Sequence, residues 1–424
     1  MSQQKKQWGA IIVMIALFAM IAFVTNLCTP MATIIKNQPG GVSNVLAQIG
    51  NYGNFVAYLI MGIPAGMLIA KYGYKKTALI GLIVGIVGIL IQWYSGQLDA
   101  EKNLGLVFGV YLVGAFIAGL CMCILNCVVN PMLNLLGGGG NKGNQLIQIG
   151  GVFNSSAAVA CYILMGALIA DITKAKISDA TPALMIALAI FVIAFVVILF
   201  TKIDEPEQSP VKLELIKGAM SHRHFALGTL AIFLYMGIEV GVPNTVQQYL
   251  NQDGTIPPAT VGMIVAVYWF MMLIGRFVGA SIGSKISART MITTVSSITI
   301  LLVLFGMFAP TDVLVNFPGV NWGTLEMIWQ PIPLGIFSFL LVGLCTSVMW
   351  GSIFNMAVEG LGKYTAIASG IFMTMVFGCA VMMFIQATVA DMTDYITSFW
   401  VVVFCAAYLL FYALVGSRVT KRSE

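Results

Sequence analysis

The sequence predicts an all-α membrane protein with twelve transmembrane helices in two six-helix halves, and three observations carry that prediction. Composition comes first: 59% of the 424 residues are hydrophobic and 9% are charged, where a water-soluble domain carries about 25% charged residues. Water cannot solvate so apolar a surface, so the surrounding solvent must be lipid. Next, the apolar residues fall into about twelve runs of the length that crosses a bilayer, roughly 20 residues at ~1.5 Å rise each. The third observation is a lopsided distribution of lysine and arginine along the loops.

The runs lie at about 8–34, 43–70, 77–97, 104–135, 145–170, 181–201, 224–250, 257–281, 289–309, 332–358, 364–390 and 395–416. Glycine, proline and charge clusters separate them. The first follows a short lead, Met1 to Trp8, that holds Lys5 and Lys6. It is too long for a signal-peptide core and no small-residue cleavage site follows, so it reads as a retained span.

Placing the amino terminus in the cytoplasm gives that side Lys5, Lys6, Lys71, Lys75, Lys76, Lys142, Lys202, Lys212, Lys217, Arg223, Lys285, Arg289, Lys363, Arg418, Lys421 and Arg422. The outside receives Lys36, Lys102, Lys174 and Lys176. Cytoplasmic loops collect positive residues, so both termini are expected inside.

The longest cytoplasmic connection divides the chain into residues 1–201, a linker at 202–223 with Pro206 and Pro210, and residues 224–424. The halves echo each other. Gly66 to Lys76 (GMLIAKYGYKK) closes the second span with glycine and lysines, and Gly279 to Arg289 (GASIGSKISAR) closes the eighth in the same way. Such a repeat at half the chain length is how carriers with parallel repeats are built.

Several classes fall away. The net charge of +5 is spread thinly, without the dense basic block that tracks nucleic acid. All eight cysteines lie in apolar stretches; Cys121, Cys123 and Cys127 approach a metal-like spacing, but no histidine or carboxylate joins them. They read as packing residues, and no metal or other cofactor is expected. An enzyme is not expected either. The two histidines, His222 and His224, sit at a loop end, and Gly137 to Gly140 leads into Asn141-Lys142, read as a short loop, rather than a phosphate-binding lysine-serine turn.

Once the loop charges are set aside, Glu239 and Arg276 remain within spans. A charge in lipid costs ~2.5 kcal/mol or more, so it is paired or faces water. Glu239 lies roughly 22 Å from the start of the seventh span, beside Gly237, Gly241 and Pro243, breakers that loosen a helix where it lines a cavity. It reads as a functional group, the candidate for ion coupling, against the alternative of a permanently neutral, hydrogen-bonded glutamate that only holds helices together. Arg276, near the end of the eighth span, either snorkels to the interface or pairs with Glu359 as a gating latch.

Uncharged polar residues gather at similar depths: Thr25, Asn26 and Thr29; Asn126 and Asn130; Gln148 and Asn154; Asn244, Gln247 and Gln248; and Asn355. Asn126 and Asn130 stack on one helix face, as do Glu239 and Gln247. Amides donate and accept, which suits the vicinal hydroxyls of a sugar, and Tyr268, Trp269 and Trp350 offer flat faces for its apolar side. The competing reading makes each amide interhelical glue. The expected substrate contacts are Asn26, Asn126, Asn130, Asn154, Asn244, Gln247, Tyr268, Trp350 and Asn355.

These polar segments carry a resemblance. Phe233-Leu-Tyr-Met-Gly-Ile-Glu239-Val, Tyr268-Trp269 with Gly275-Arg276-Phe277, Ile353-Phe-Asn-Met-Ala-Val-Glu359-Gly-Leu-Gly-Lys363-Tyr-Thr and the ending Leu410 to Arg418 resemble the fucose/galactose/glucose symporter family of the major facilitator superfamily. The resemblance covers nearly the whole chain. It implies the superfamily fold, a central site between the halves, and sugar uptake driven by an ion gradient. The amino half departs from the pattern. Fucose-type members read Asn-Leu-Asn-Asp in span one, where this chain has Asn26-Leu27-Cys28-Thr29, and a glutamate in span four, where it has Asn126 ahead of Asn130-Pro131.

Together these readings expect a monomeric hexose-class importer in a bacterial inner membrane, working by alternating access. Its coupling ion is a proton or sodium, with an uncoupled facilitator as the alternative. A multidrug efflux carrier on the same fold fits less well, because the lining is rich in amides.

Overall fold

The computed structural model describes residues 7–38, 42–99, 102–136, 140–169, 175–203, 205, 215–252, 254–282, 286–321, 326–361 and 364–419. Lys5, Lys6, Lys174, Pro206, Pro210, Lys212, Lys285, Lys363, Lys421, Arg422 and the glycines at 137–139 lie outside these residues, as do the side chains of Lys142 and Gln148.

Among the described residues, 11 helices are long and apolar enough to cross a membrane, and one of them makes two passes. The helix Ile49–Ser95 has 47 residues, about 70 Å of rise and more than twice the thickness of a bilayer core. It breaks at Gly73, whose φ of 78° and ψ of 174° are non-helical and which sits in the left-handed region that glycine enters without strain. The chain there doubles back, since Gly53 on one side of the break and Gly88 on the other both press on residues 112–118 of the next helix. Twelve passes result.

The passes are span one (Trp8–Lys36), spans two and three (either side of Gly73), span four (Leu104–Leu136), span five (Gly140–Leu168) and span six (Thr181–Phe200). The second set is span seven (Arg223–Asn251), span eight (Pro258–Ile282), span nine (Ala288–Phe308), and then three composite spans. Span ten joins Leu334–Thr346 to Met349–Val358, span eleven joins Thr365–Met375 to Gly378–Met392, and span twelve runs from Thr397 to Gly416. With an even number of passes, both ends of the described chain lie at one face, the termini face.

Two local readings are corrected. Span five begins at Gly140, so Asn141-Lys142 lies in helix rather than in a short loop; the apolar pattern that marks a helix starts only after these polar residues. Between spans nine and ten the chain builds an antiparallel hairpin, β1 (Leu314–Asn321) on β2 (Glu326–Pro333), with register running from Leu314↔Pro333 to Asn321↔Glu326. The segment 310–331 falls between the ninth and tenth apolar runs and shows no helical period. Its apolar residues are spent on strand pairing, with Met327 and Trp329 exposed.

In lipid, helices associate by close backbone approach at small residues. Gly119 on span four lies against the carbonyl of Asn54 and the methyl of Ala57 on span two; any side chain there would overlap the neighbouring backbone. Among the described residues, the first six spans meet the last six at span five on span eight, span two on span eleven, and span one on span seven, with span four also touching span eleven. Tyr52 stacks edge-on against Phe384 between spans two and eleven, ring centroids 5.8 Å apart.

The bend at Gly73 is also held electrostatically. Glu205, just past span six, accepts the backbone N–H groups of Tyr74 and Lys75, both at 2.7 Å. Lys75 returns the contact, its ammonium donating to the carbonyls of Leu199 (3.0 Å) and Thr201 (2.8 Å). A carboxylate thus caps the start of span three while an ammonium caps the end of span six, each placed favourably on its helix dipole.

Candidate functional site

The two ionisable span residues meet. Glu239 lies on span seven in hydrogen-bonding range of the Tyr235 hydroxyl one turn earlier, and Arg276 of span eight is the cation acting on it. The Arg276 guanidinium also donates to the Gly151 carbonyl on span five. That is where the structure departs from the expected latch. Span eight lies along span five, so the guanidinium meets that backbone and the Glu239 charge. The backbone carbonyl of Glu359 lies 2.8 Å from Nε2 of His224.

A continuous aromatic and hydroxyl chain leads away from this pair. The Tyr235 O–H reaches the Thr346 carbonyl at 3.4 Å, and the Thr346 hydroxyl lies 3.1 Å from that of Tyr268. Thr346 is the last residue before the break in span ten, where carbonyls released from the helix need partners of this kind. Tyr268 meets Trp269 edge-on (centroids 5.3 Å, 85°), and Trp269 stacks on Tyr162 of span five (6.4 Å, 24°). The Tyr162 O–H then donates to Asn26 Oδ1 on span one at 3.4 Å, while Asn26 Nδ2 holds the Ala22 carbonyl at 2.8 Å. Trp350 flanks the chain, its ring 6.2 Å from Tyr235.

The network therefore joins Asn26, Tyr268, Trp350, Glu239 and Arg276 from the expected set. Other members lie apart from it. Asn126 donates to the Tyr58 hydroxyl at 2.9 Å, Asn130 to the Asn126 carbonyl at 3.1 Å, and Asn154 to the Phe18 carbonyl at 2.9 Å. Those bonds occupy amide donors within the first six spans and leave the three side-chain carbonyls for other partners. Asn244 and Gln247 are buried farther along span seven with Oδ1 and Oε1 unpartnered among the described residues. Asn355 is exposed on span ten.

Sequence reasoning missed Tyr162, Tyr235 and Thr346. The tyrosine at 235 stands four residues before Glu239, a spacing that puts both on one helix face, so that signal was available. Tyr162 and Thr346 join only through contacts between distant spans.

Twelve membrane passes, with an acid, a base and a ladder of aromatic and amide groups gathered between the two sets of six, define a polytopic membrane transporter rather than an enzyme. The sequence pattern of the Major Facilitator Superfamily matches residues 10–385, and the chain belongs to that superfamily. Among curated relatives, a glucose/galactose transporter of Brucella abortus is 28% identical, over 98% of this chain and 96% of its own length. The L-fucose-proton symporter of Escherichia coli strain K12 is 21% identical, over 86% of this chain and 83% of its own. Of solved structures, the transporter FucP in its outward conformation aligns with a TM-score of 0.68 at 19% identity, covering 96% of this chain and 99% of that one. A D-xylose-proton symporter aligns with a TM-score of 0.69 at 10% identity, covering 97% and 98%. At these identities the structural likeness speaks for the fold.

Proposed function

We propose that this protein imports a hexose-class sugar by alternating access, drawing on a cation gradient through Glu239. The observation that carries the proposal is Glu239 itself, held by Tyr235 and Arg276 at one end of the aromatic and amide chain. A carboxylate whose surroundings change between states exchanges a proton, or releases a sodium ion, to alternate sides. The amides of Asn26, Asn126, Asn130 and Asn154 and the rings of Tyr268 and Trp350 supply the mixed polar and flat lining that a pyranose requires. Relatives named as glucose/galactose and L-fucose-proton carriers support the same substrate class.

The termini face is the cytoplasmic one in this reading, on the lysine and arginine asymmetry, with residues 1–201 and 224–424 as the two moving bodies. A bacterial inner membrane suits the relatives' sources, and one chain suffices for transport.

An uncoupled facilitator is favoured by one observation, the uncharged Asn126 and Thr29 where fucose-type members place acids. Uptake of a labelled sugar panel into proteoliposomes, with proton and sodium gradients imposed separately, decides between them. Accumulation above equilibrium under one gradient supports coupling, equilibration under both supports facilitation, and uptake of no sugar overturns the substrate class.

A further inference from the structure

The face opposite the termini carries a junction between the two sets of spans that the central network does not use. Ser43 caps the short turn Asn44–Ala47 ahead of span two, its Oγ accepting from Leu46 N–H at 3.1 Å. The two preceding backbone donors of this turn are taken by the other set. Asp391, at the end of span eleven, accepts Asn44 N–H through one carboxylate oxygen (2.8 Å) and Val45 N–H through the other (3.0 Å). Tyr395, four residues on, donates its hydroxyl to Asn44 Oδ1 at 2.6 Å. Beside this clasp, Gln248 of span seven donates to Thr33 Oγ1 of span one at 3.2 Å.

We infer that Asp391 is a gating residue of the transport cycle, whose carboxylate clasps span two to span eleven and holds this face closed. Charge-assisted bonds to backbone amides are about twice as strong as neutral ones, and a two-oxygen grip fixes orientation as well as distance. Burial pushes the Tyr395 hydroxyl up to about 12, so it stays protonated and donates throughout the physiological range.

Directly under the clasp lies a small polar pocket walled by Asn44, Gln48, Asn244, Gln248, Gln386 and Tyr395. Two of these side chains, Asn244 at 4% exposed and Gln386 at 3%, have Oδ1 and Nε2 respectively without a hydrogen-bond partner among the described residues. Buried unpartnered amides are costly, and water admitted by opening would satisfy them. The closed face thus sets a strong clasp against a standing cost beneath it, a balance that small changes tip. The gate concerns this face of the fold whatever is carried, but its place on the outer side rests on the orientation proposed above.

Hydrogen–deuterium exchange on the full chain in lipid nanodiscs, without substrate, tests the gate directly. Asp391→Asn should speed exchange at Asn44 and Val45 by about tenfold or more, since the donors lose an ionised acceptor. The increase should spread to residues 244–251 and 383–390, which line the pocket and its seam. Tyr395→Phe should act in the same direction and less, and Asp394→Asn, whose carboxylate bonds within its own turn at Ile396 and Thr397, should change neither region. In transport assays Asp391→Asn should bind externally added sugar more tightly and turn over more slowly, because the outward-open fraction rises. Unchanged exchange at Asn44 and Val45 would overturn the clasp. A rise confined to residues 44–47 would reduce Asp391 to a helix cap and overturn the gate. A wild-type chain that carries no sugar would defeat the proposed substrate while leaving the exchange result standing.

Discussion

Glu239 of span seven and Arg276 of span eight share one polar cluster with Tyr235 inside the membrane-spanning region. A buried carboxylate needs donors nearby, and here Tyr235, one turn back, and Arg276, on the next span, supply them. Glu239→Gln keeps the shape and the hydrogen bonding but cannot titrate. It should abolish uphill accumulation while exchange of labelled sugar across the membrane persists; a mutant that still concentrates sugar would place coupling elsewhere. Arg276→Leu should lower thermal stability, because it leaves the Glu239 carboxylate without its cation and Gly151 without its donor. If the two side chains act as a pair, adding Glu239→Gln should restore part of that loss, with a coupling of about 0.5–3 kcal/mol in the double-mutant cycle; strict additivity would mean that they act independently. The amides were legible as polar residues in lipid, but not as to partner. Asn126 and Asn154 each use a donor to hold another span, at Tyr58 and Phe18, and nothing in their own segments announces those neighbours.

At the scale of elements, helix positions were legible because lipid imposes one length on every pass. Bends and breaks were partly so. The glycine and lysines of Gly66 to Lys76 marked a turn, and the structure adds that Glu205 holds it by two amide bonds of 2.7 Å. Gly73→Ala should therefore destabilise twice over, by roughly 1–3 kcal/mol for a positive-φ, extended-ψ backbone that only glycine adopts readily and by displacing the Glu205 carboxylate that a Cβ would meet. Thermal unfolding of the purified variant should show the loss, and Glu205→Gln should reproduce part of it with the backbone unchanged. An alanine variant as stable as the parent would mean that the turn relaxes freely. The breaks in spans ten and eleven, after Thr346 and Met375, have no proline within them and were unreadable. A tyrosine from another span satisfies the carbonyl at the first, which local sequence does not reveal. The hairpin at 314–333 escaped for a different reason, since strand pairing leaves no helical period.

For the whole molecule, the loop charges make a prediction about orientation that the fold alone does not. Lys102 and Lys176 lie at the face opposite the termini, and Lys217 precedes span seven at the termini face; all three are exposed. A membrane-impermeant amine reagent applied to intact cells should modify Lys102 and Lys176 and spare Lys217, with the pattern reversed in inside-out vesicles. Labelling of Lys217 in intact cells would invert the topology. The two sets of spans, meanwhile, are pinned at the face opposite the termini by Asp391, Tyr395 and Gln248, a closure that no single segment encodes.

Composition, the length of apolar runs and the placement of lysine and arginine were enough to determine a twelve-pass helical membrane protein, because a bilayer constrains every pass separately and each constraint is local in the chain. Which polar groups meet was decided by tertiary structure alone. Tyr162 finds Asn26 across 136 residues and Asp391 finds Asn44 across 347. Pairings of that kind depend on the rotation of each helix about its own axis, which close backbone contacts such as that of Gly119 on span two set jointly for all the neighbours at once.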